Sequence, residues 1–448
     1  MPQGHDGAPT RALHAGNVRA AFAPAEKTRR YLEVEAGLIP QEAARQIVQT
    51  AGSVTLDPER LAARVRTHGH TMMALVEELA EAVGEYGGWV HWGATTQNIQ
   101  QTGDVLILRD VYDVVVDLVD DALLAAADVI DRTADMPMAG RTHWQHAVPI
   151  TFGLKVASWS DQLVRHRERL DDLAPRLLQS MTGGAAGTFA SFGSRGIELQ
   201  AKVAERLGLR PMEVPSRAIV DHLAEFVLVL GLISATAQSV AEEMQRLNTP
   251  EYGEAYEEIP AGQVGSSTMP QKRIAPHVGV TIIAAAHARA AVPLALEAVI
   301  QSHEVDGTRS VFMDRALEQA CVGTVEALDG LVGILRGLQV SPKRMLQNLD
   351  LTHGLINAEA VMLRLADVLG RQDAHHVVHH AVERVNGEKI SFLDALRADS
   401  RVTNALTNDQ ITELLDPTRY TGLSEQVAVA AAARARAAVS EAPARAAR

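Results

Sequence analysis

Eight consecutive residues, Gly265-Ser-Ser-Thr-Met-Pro-Gln-Lys272, place two hydroxyls, two turn-formers and one lysine in a stretch too polar for a core. Gly265 permits unusual backbone angles and Pro270 stiffens the turn, so Ser266 and Ser267 can be presented on backbone amides while Lys272 reaches the same space. That arrangement suits binding or generating an anion. A Ser-Ser pair alone is commonplace in turns; the whole octapeptide is expected to be a catalytic lid. Two further polar groups stand out. His143 follows Arg141 and Thr142 just before an apolar helix expected to begin near Pro149, which would fix the imidazole at a helix entrance. Thr95, Thr96, Gln97 and Asn98 follow Gly93 and offer neutral hydroxyl and amide donors, groups that hold a carboxylate without repelling it. The alternative for this tetrad is a helix N-cap made by Thr95 or Thr96.

The octapeptide resembles the signature of the fumarase/aspartase superfamily, GSSxMPxKxN. His91-Trp-Gly-Ala-Thr-Thr-Gln-Asn98 is similar to HxGATSQD, and Gly140-Arg-Thr-His-Trp-Gln-His-Ala-Val-Pro-Ile-Thr-Phe-Gly153 to GRTHxQHAxPxTFG, both of the branch holding adenylosuccinate lyase and 3-carboxy-cis,cis-muconate cycloisomerase. The likeness continues through Asn348-Leu-Asp-Leu-Thr-His-Gly-Leu355 and Leu414-Leu-Asp-Pro-Thr-Arg-Tyr420, while the first helix, between Glu35 and Gly37-Leu-Ile-Pro40, looks about two turns short.

The resemblance implies a chemistry: a base takes a proton beside a carboxylate, a cradle holds the resulting dianion, an acid serves the leaving group, and anchors grip two carboxylates. By resemblance Ser266 is the base, its alkoxide stabilised by backbone amides and nearby positive charge. Ser267 and Met269 position carboxylate oxygens, and Lys272 steadies the aci-carboxylate. His143 matches the histidine that protonates the leaving group, a role that suits an imidazole. His70, in a segment resembling an RHD element, and His91 join Arg141, Thr142 and the Thr95–Asn98 tetrad as substrate-binding candidates. Together the three histidines favour elimination over ring closure.

The departures are informative. Where the family has Asn after the lysine this chain has Ile274, and Asn98 stands where the branch has Asp, so a neutral donor at Asn98 is expected to compensate. The arginine that binds nucleotide phosphate is replaced by Val305 in His303-Glu-Val-Asp306; Arg309 and Arg315 are out of register, and Val220 replaces another arginine, with Arg217 one turn earlier. The substrate is therefore expected to be smaller than a nucleotide. Glu254 and Glu257 match an acidic pair expected to orient the lid or His143.

The elements that must position these groups are helices. Apolar residues recur at three- and four-residue spacing over roughly 104–134, 152–180, 219–247 and 277–302, and alternating strand patterns are almost absent. Such helices pack as a bundle, and Ile282-Ile-Ala-Ala-Ala286, apolar on more than one face, points to burial against other subunits. Thr182-Gly-Gly-Ala-Ala-Gly-Thr188 is expected to be a loop, and the Ala-Arg-rich tail after Ala428 continues a helix. The fold expected is all-α, with residues 1–103 an N-terminal helical domain, 104–345 a central bundle carrying the lid, and 346–448 a C-terminal helical domain. The superfamily likeness implies a homotetramer with shared active sites.

With 448 residues, 47% hydrophobic, 22% charged and 4% aromatic, the composition fits a helical protein of more than one domain. A net charge of -13 argues against a nucleic-acid surface. No apolar run suggests a membrane span, no signal region is apparent, and Cys321 is the only cysteine, so a cytoplasmic home is expected. His375, His376, His379 and His380 have metal-ligand spacing but no evident partner, so no metal and no cofactor is expected. The reading reached is a cofactor-independent lyase acting on a small anionic dicarboxylate, eliminating an amine or other nitrogen-bearing group, nitrosuccinate included, to leave fumarate. The alternatives are 3-carboxy-cis,cis-muconate cycloisomerase and a catalytically silent structural relative.

Overall fold

The computed structural model describes residues 39–260, 262 and 266–441; Gly265 and the short first helix lie outside the described residues. Helices dominate. Three short ones, α1 (Gln41–Ser53), α2 (Pro58–His68) and α3 (Thr71–Val83), lead to α4 (Thr96–Asp131). A hairpin of β1 (Pro137–Thr142) and β2 (Gln145–Thr151) feeds α5 (Phe152–Leu177). After β3 (Gln179–Ser180), α6 (Gly196–Leu207) and β4 (Arg210–Pro211), the chain forms α7 (Asp221–Leu247) and β5 (Ala255–Glu257). Then come α8 (Val278–Ala290), α9 (Val292–Val299), α10 (Gly307–Gly337), β6 (Leu338–Val340) and α11 (Pro342–Leu349). The C-terminal region holds α12 (Ala358–Leu369), α13 (Arg371–Glu388), α14 (Phe392–Arg397), α15 (Ser400–Ala405), α16 (Asn408–Leu414) and α17 (Ser424–Ser440). The chain is all-α in class, its strands confined to two-stranded pairs.

Helices α4, α5, α7, α8 and α10 pack side by side into one bundle. In α4, Val105, Leu108, Val115, Ala122 and Ile130 are buried along with Leu106, Ile107 and Leu123 on other faces, because neighbours cover the helix on several sides. The stretch expected over 277–302 is two helices separated at Ala291: Pro293 opens α9 at its first turn, where a missing N–H is tolerated. Helix α10 does not stand out from apolar spacing, since Gly323, Gly330 and Gly333 interrupt its interior. Tertiary contact explains two of them. A Cβ on Gly323 would lie 2.8 Å from the Ala284 carbonyl oxygen, and one on Gly330 would lie 2.1 Å from Thr281 Oγ1, so these glycines let α8 and α10 touch.

The helix expected to begin near Pro149 begins instead at Phe152, and Pro149 lies in β2. Thr151 caps it, its Oγ1 accepting from Leu154 N–H at 3.2 Å. His143 is thus on a hairpin turn, not at a helix entrance. The antiparallel pairing of 137–142 with 145–151 overrides the weak alternation of this segment.

The C-terminal helices enclose a separate apolar cluster that includes Val361, Val377, Phe392 and Ile411. Helix α17 returns to the bundle, burying Ala428, Ala432 and Ala435 against α4 and α5, with Arg436 paired to Asp128 at 3.0 Å and Asp131 at 2.6 Å. Two stretches, Asp221–Leu247 and Val278–Val299, are long and apolar enough to cross a bilayer by length and composition, a test that buried core helices also pass. The first is mostly buried inside the bundle, whereas the second leaves Val280, Ile283 and Leu296 exposed. His375, His376, His379 and His380 are exposed on α13, and no cluster of three or more metal-binding side chains occurs among the described residues.

Candidate active site

The β1–β2 turn is two residues long, His143 and Trp144, and both have positive φ, 48° and 65°. This is the backbone of a tight hairpin turn that usually takes Asn-Gly. Non-glycine residues there carry strain, and a rigid surround must hold them. Arg141 supplies it. Its guanidinium donates to both carboxylate oxygens of Glu254, at 2.8 and 2.7 Å, and lies 4.8 Å over the Tyr252 ring. Glu254 is fully buried and also accepts from Asn348 Nδ2 at 2.7 Å. Arg141 is thereby committed to the hairpin's support, while Thr142 and His143 are exposed at its tip. No hydrogen bond engages the His143 imidazole among the described residues. His146, which faces Arg141 across the hairpin, is a further histidine of this motif; burial and the Arg141 charge lower its pKa.

The segment expected to be a lid, described from Ser266 onward, is a pair of interlocked turns. Ser266 Oγ accepts from Met269 N–H at 3.2 Å, and Lys272 N–H donates to the Met269 carbonyl at 3.0 Å around Pro270. A backbone amide therefore already points at the Ser266 oxygen. Ser267, Met269 and Lys272 are exposed, as is Ile274. The lid's exit is anchored at three points: Asn248 Nδ2 donates to the Arg273 carbonyl at 3.4 Å, Arg273 lies 5.8 Å from the Tyr256 ring, and Glu257 bonds both the backbone and the imidazole of His277. Glu254 and Glu257 thus divide the expected work, one holding the hairpin and the other the lid.

Thr95 is the N-cap residue of α4, yet its hydroxyl makes no capping bond. Gln97 Oε1 accepts from Arg217 Nε at 2.8 Å, and Gln97 Nε2 donates to Ser310 Oγ at 3.2 Å. Asn98 is buried, its Oδ1 accepting from Gly184 N–H of the glycine-rich loop at 2.9 Å, and its Nδ2 donor has no partner among the described residues. The tetrad and that loop therefore form one unit, and what Asn98 has left for a carboxylate is its donor edge. His70 is the N-cap of α3, its Nδ1 accepting from Met73 N–H at 3.4 Å; His91 sits in a left-handed turn at φ 63°.

One chain does not bring these groups together. The tetrad lies by Arg217, just before the start of α7, whereas the hairpin and the lid lie at its other end, by Arg246, Asn248 and Tyr252. At 27 residues, α7 separates them by about 40 Å.

The family profile described as "Lyase" matches residues 23–276, and that of the adenylosuccinate lyase C-terminus matches residues 354–431. The chain is 37% identical to a 3-carboxy-cis,cis-muconate cycloisomerase of Pseudomonas aeruginosa, covering 91% of this chain and 92% of that one. It is 35% identical to an N-acetyl-S-(2-succino)cysteine lyase of Enterococcus italicus, covering 91% and 88%. Among solved structures, a fumarate lyase from Mesorhizobium superposes with a TM-score of 0.87 at 32% identity, covering 93% of this chain and 97% of that one.

Proposed function

The chain belongs to the fumarase/aspartase superfamily of lyases, and from that premise we propose that it eliminates an amine or other nitrogen-bearing group from a substituted succinate and releases fumarate. Ser266 removes the Cβ proton. The electron pair moves into the adjacent carboxylate, whose aci form Lys272 stabilises by charge. As the pair returns to form the double bond, the carbon–nitrogen bond breaks and His143 delivers a proton to the departing nitrogen. Ser267, the Met269 amide and the Thr95–Asn98 donors hold the two carboxylates.

The observation that carries this reading is His143 itself: an exposed imidazole, hydrogen-bonded to none of the described residues, on a turn that Arg141, Glu254 and Asn348 hold rigid. Ring closure has less use for such a donor. A nucleotide substrate is disfavoured because Arg309 is engaged by Glu297 at 2.9 Å and Arg217 by Gln97. The separation of the motifs along α7 supports sites shared between subunits of a homotetramer, and exposed Leu232, Val280, Ile283 and Leu296 supply an apolar face for another copy. A single, buried cysteine suits a cytoplasmic setting.

The identity to the muconate cycloisomerase favours lactone formation as the second reading. The experiment supplies nitrosuccinate, N-substituted aspartates, S-(2-succinyl) thiols and 3-carboxy-cis,cis-muconate in turn, and measures fumarate and lactone. Fumarate from a nitrogen-bearing succinate is the expected result, and lactone alone would sink the proposal. Ser266→Ala should keep its helicity and lose turnover by on the order of 10³ or more.

A further inference from the structure

Beside the His143–Trp144 turn lies a cavity of about 350 Å³, lined by the start of α5, the end of α7 and Tyr252. Its lining is cationic and aromatic. Arg141, Lys155 and Arg246 face a single lining carboxylate, Glu243. Lys155 Nζ donates to that carboxylate at 2.6 Å, and Arg141 donates to both oxygens of Glu254 behind the hairpin. Arg246 is the cation with capacity to spare: it is 41% exposed, donates to Glu242 at 3.1 Å and lies 3.6 Å from Glu243. Its guanidinium carbon sits 5.1 Å from the centre of the Trp144 ring. Trp144 is 72% exposed and held at positive φ, a strained conformation for a bulky side chain that presents its indole instead of burying it.

We propose that this cavity is the leaving-group subsite and selects an amine that carries its own carboxylate, so that the preferred substrates are N-substituted aspartates with a third carboxylate. The inference rests on the elimination reading above. Trp144 adjoins His143 in the same two-residue turn, so an arm attached to the nitrogen that His143 protonates runs across the indole face and ends at Arg246. The guanidinium, already stacked on the ring, offers a fork of N–H donors in the geometry a carboxylate accepts. Nitrite or ammonia is too small to reach it.

N-(carboxymethyl)aspartate and N-methylaspartate differ only in the carboxylate and form the test pair. With wild-type enzyme the first has the higher kcat/KM, through a lower KM. Arg246→Ala reduces that preference about tenfold, the value of one charge-assisted hydrogen bond. Arg246→Lys retains part of the preference, and Trp144→Phe retains more of it than Trp144→Ala. A wild-type preference near unity, or one unchanged by Arg246→Ala, overturns the subsite while leaving elimination standing. Failure of wild-type enzyme to release fumarate from either compound overturns the elimination reading instead. Calorimetric titration of the same pair into wild type and Arg246→Ala then decides the subsite without turnover: tighter binding of the carboxymethyl compound that Arg246→Ala abolishes upholds it, and equal binding rejects it.

Discussion

At the scale of single residues, His143 is set apart by its backbone. A left-handed conformation costs a non-glycine residue on the order of 1–2 kcal/mol, and asparagine tolerates it better than most. His143→Asn therefore keeps the turn while removing the proton donor. Turnover of an amine-bearing succinate should fall by about 10²-fold or more, and that of nitrosuccinate much less, because nitrite departs without protonation. Equal losses on the two substrates would remove His143 from the acid's role. Asn98 gives a second prediction. Asn98→Asp preserves an acceptor for Gly184 but replaces the buried Nδ2 donor with negative charge next to a substrate carboxylate or its dianion, at a cost of several kcal/mol. Ile274 is 55% exposed, so Ile274→Asn should change kcat/KM only modestly. Unimpaired steady-state kinetics of Asn98→Asp would show that this position does not face the carboxylate.

Among the elements, α5 and α7 carry a buried polar contact with consequences for pH. His166 Nδ1 accepts from Arg169 at 3.2 Å, and Nε2–H donates to Thr236 Oγ1 at 2.8 Å. Burial first, then the charges of Arg169 and Arg165, lower its pKa from 6.5 to about 4. Between those values the unfolded chain takes up a proton that the native chain refuses, so stability falls as pH drops from about 6.5 toward 4. The loss reaches roughly 3 kcal/mol at the lower end. His146 and His222, whose pKa values burial also lowers, act in the same direction. Chemical denaturation at neutral pH and at the foot of this window should show the loss, and His166→Gln should reduce it. An identical pH dependence in the variant would assign the effect elsewhere.

For the whole molecule, the separation of the tetrad from the hairpin and lid along α7 makes a site within one chain geometrically remote. Mixing Ser266→Ala protein with Asn98→Asp protein, then exchanging subunits, should restore activity that neither variant has. Some sites in a mixed oligomer would draw the lid and the tetrad from unaltered chains. Activity that stays at the level of the separate variants, or a fully active monomer on sizing, would refute shared sites.

The local chemistry was legible in sequence because it depends on contiguous residues. Ser266 to Lys272, Arg141 to His146 and Thr95 to Asn98 are short segments in which turn-formers and polar groups sit side by side, and the helices of the bundle show in apolar spacing. Legibility ended wherever the partner was distant in the chain. Helix α10 was hidden by glycines whose purpose appears only when Thr281 and Ala284 lie against them. The segment expected to enter a helix is a hairpin, a case where the partner is near in sequence but the pairing of 137–142 with 145–151 leaves little mark in apolar spacing. Arg141, expected as a substrate ligand, gives two of its five N–H donors to Glu254, 113 residues away. Arg246 lies in no motif, and only its place over Trp144 draws it to the proposed subsite. Sequence by itself determined which groups are available for chemistry; tertiary structure decided which are already spent on one another, because hydrogen-bond capacity is finite and its allocation depends on distances the chain acquires only by folding.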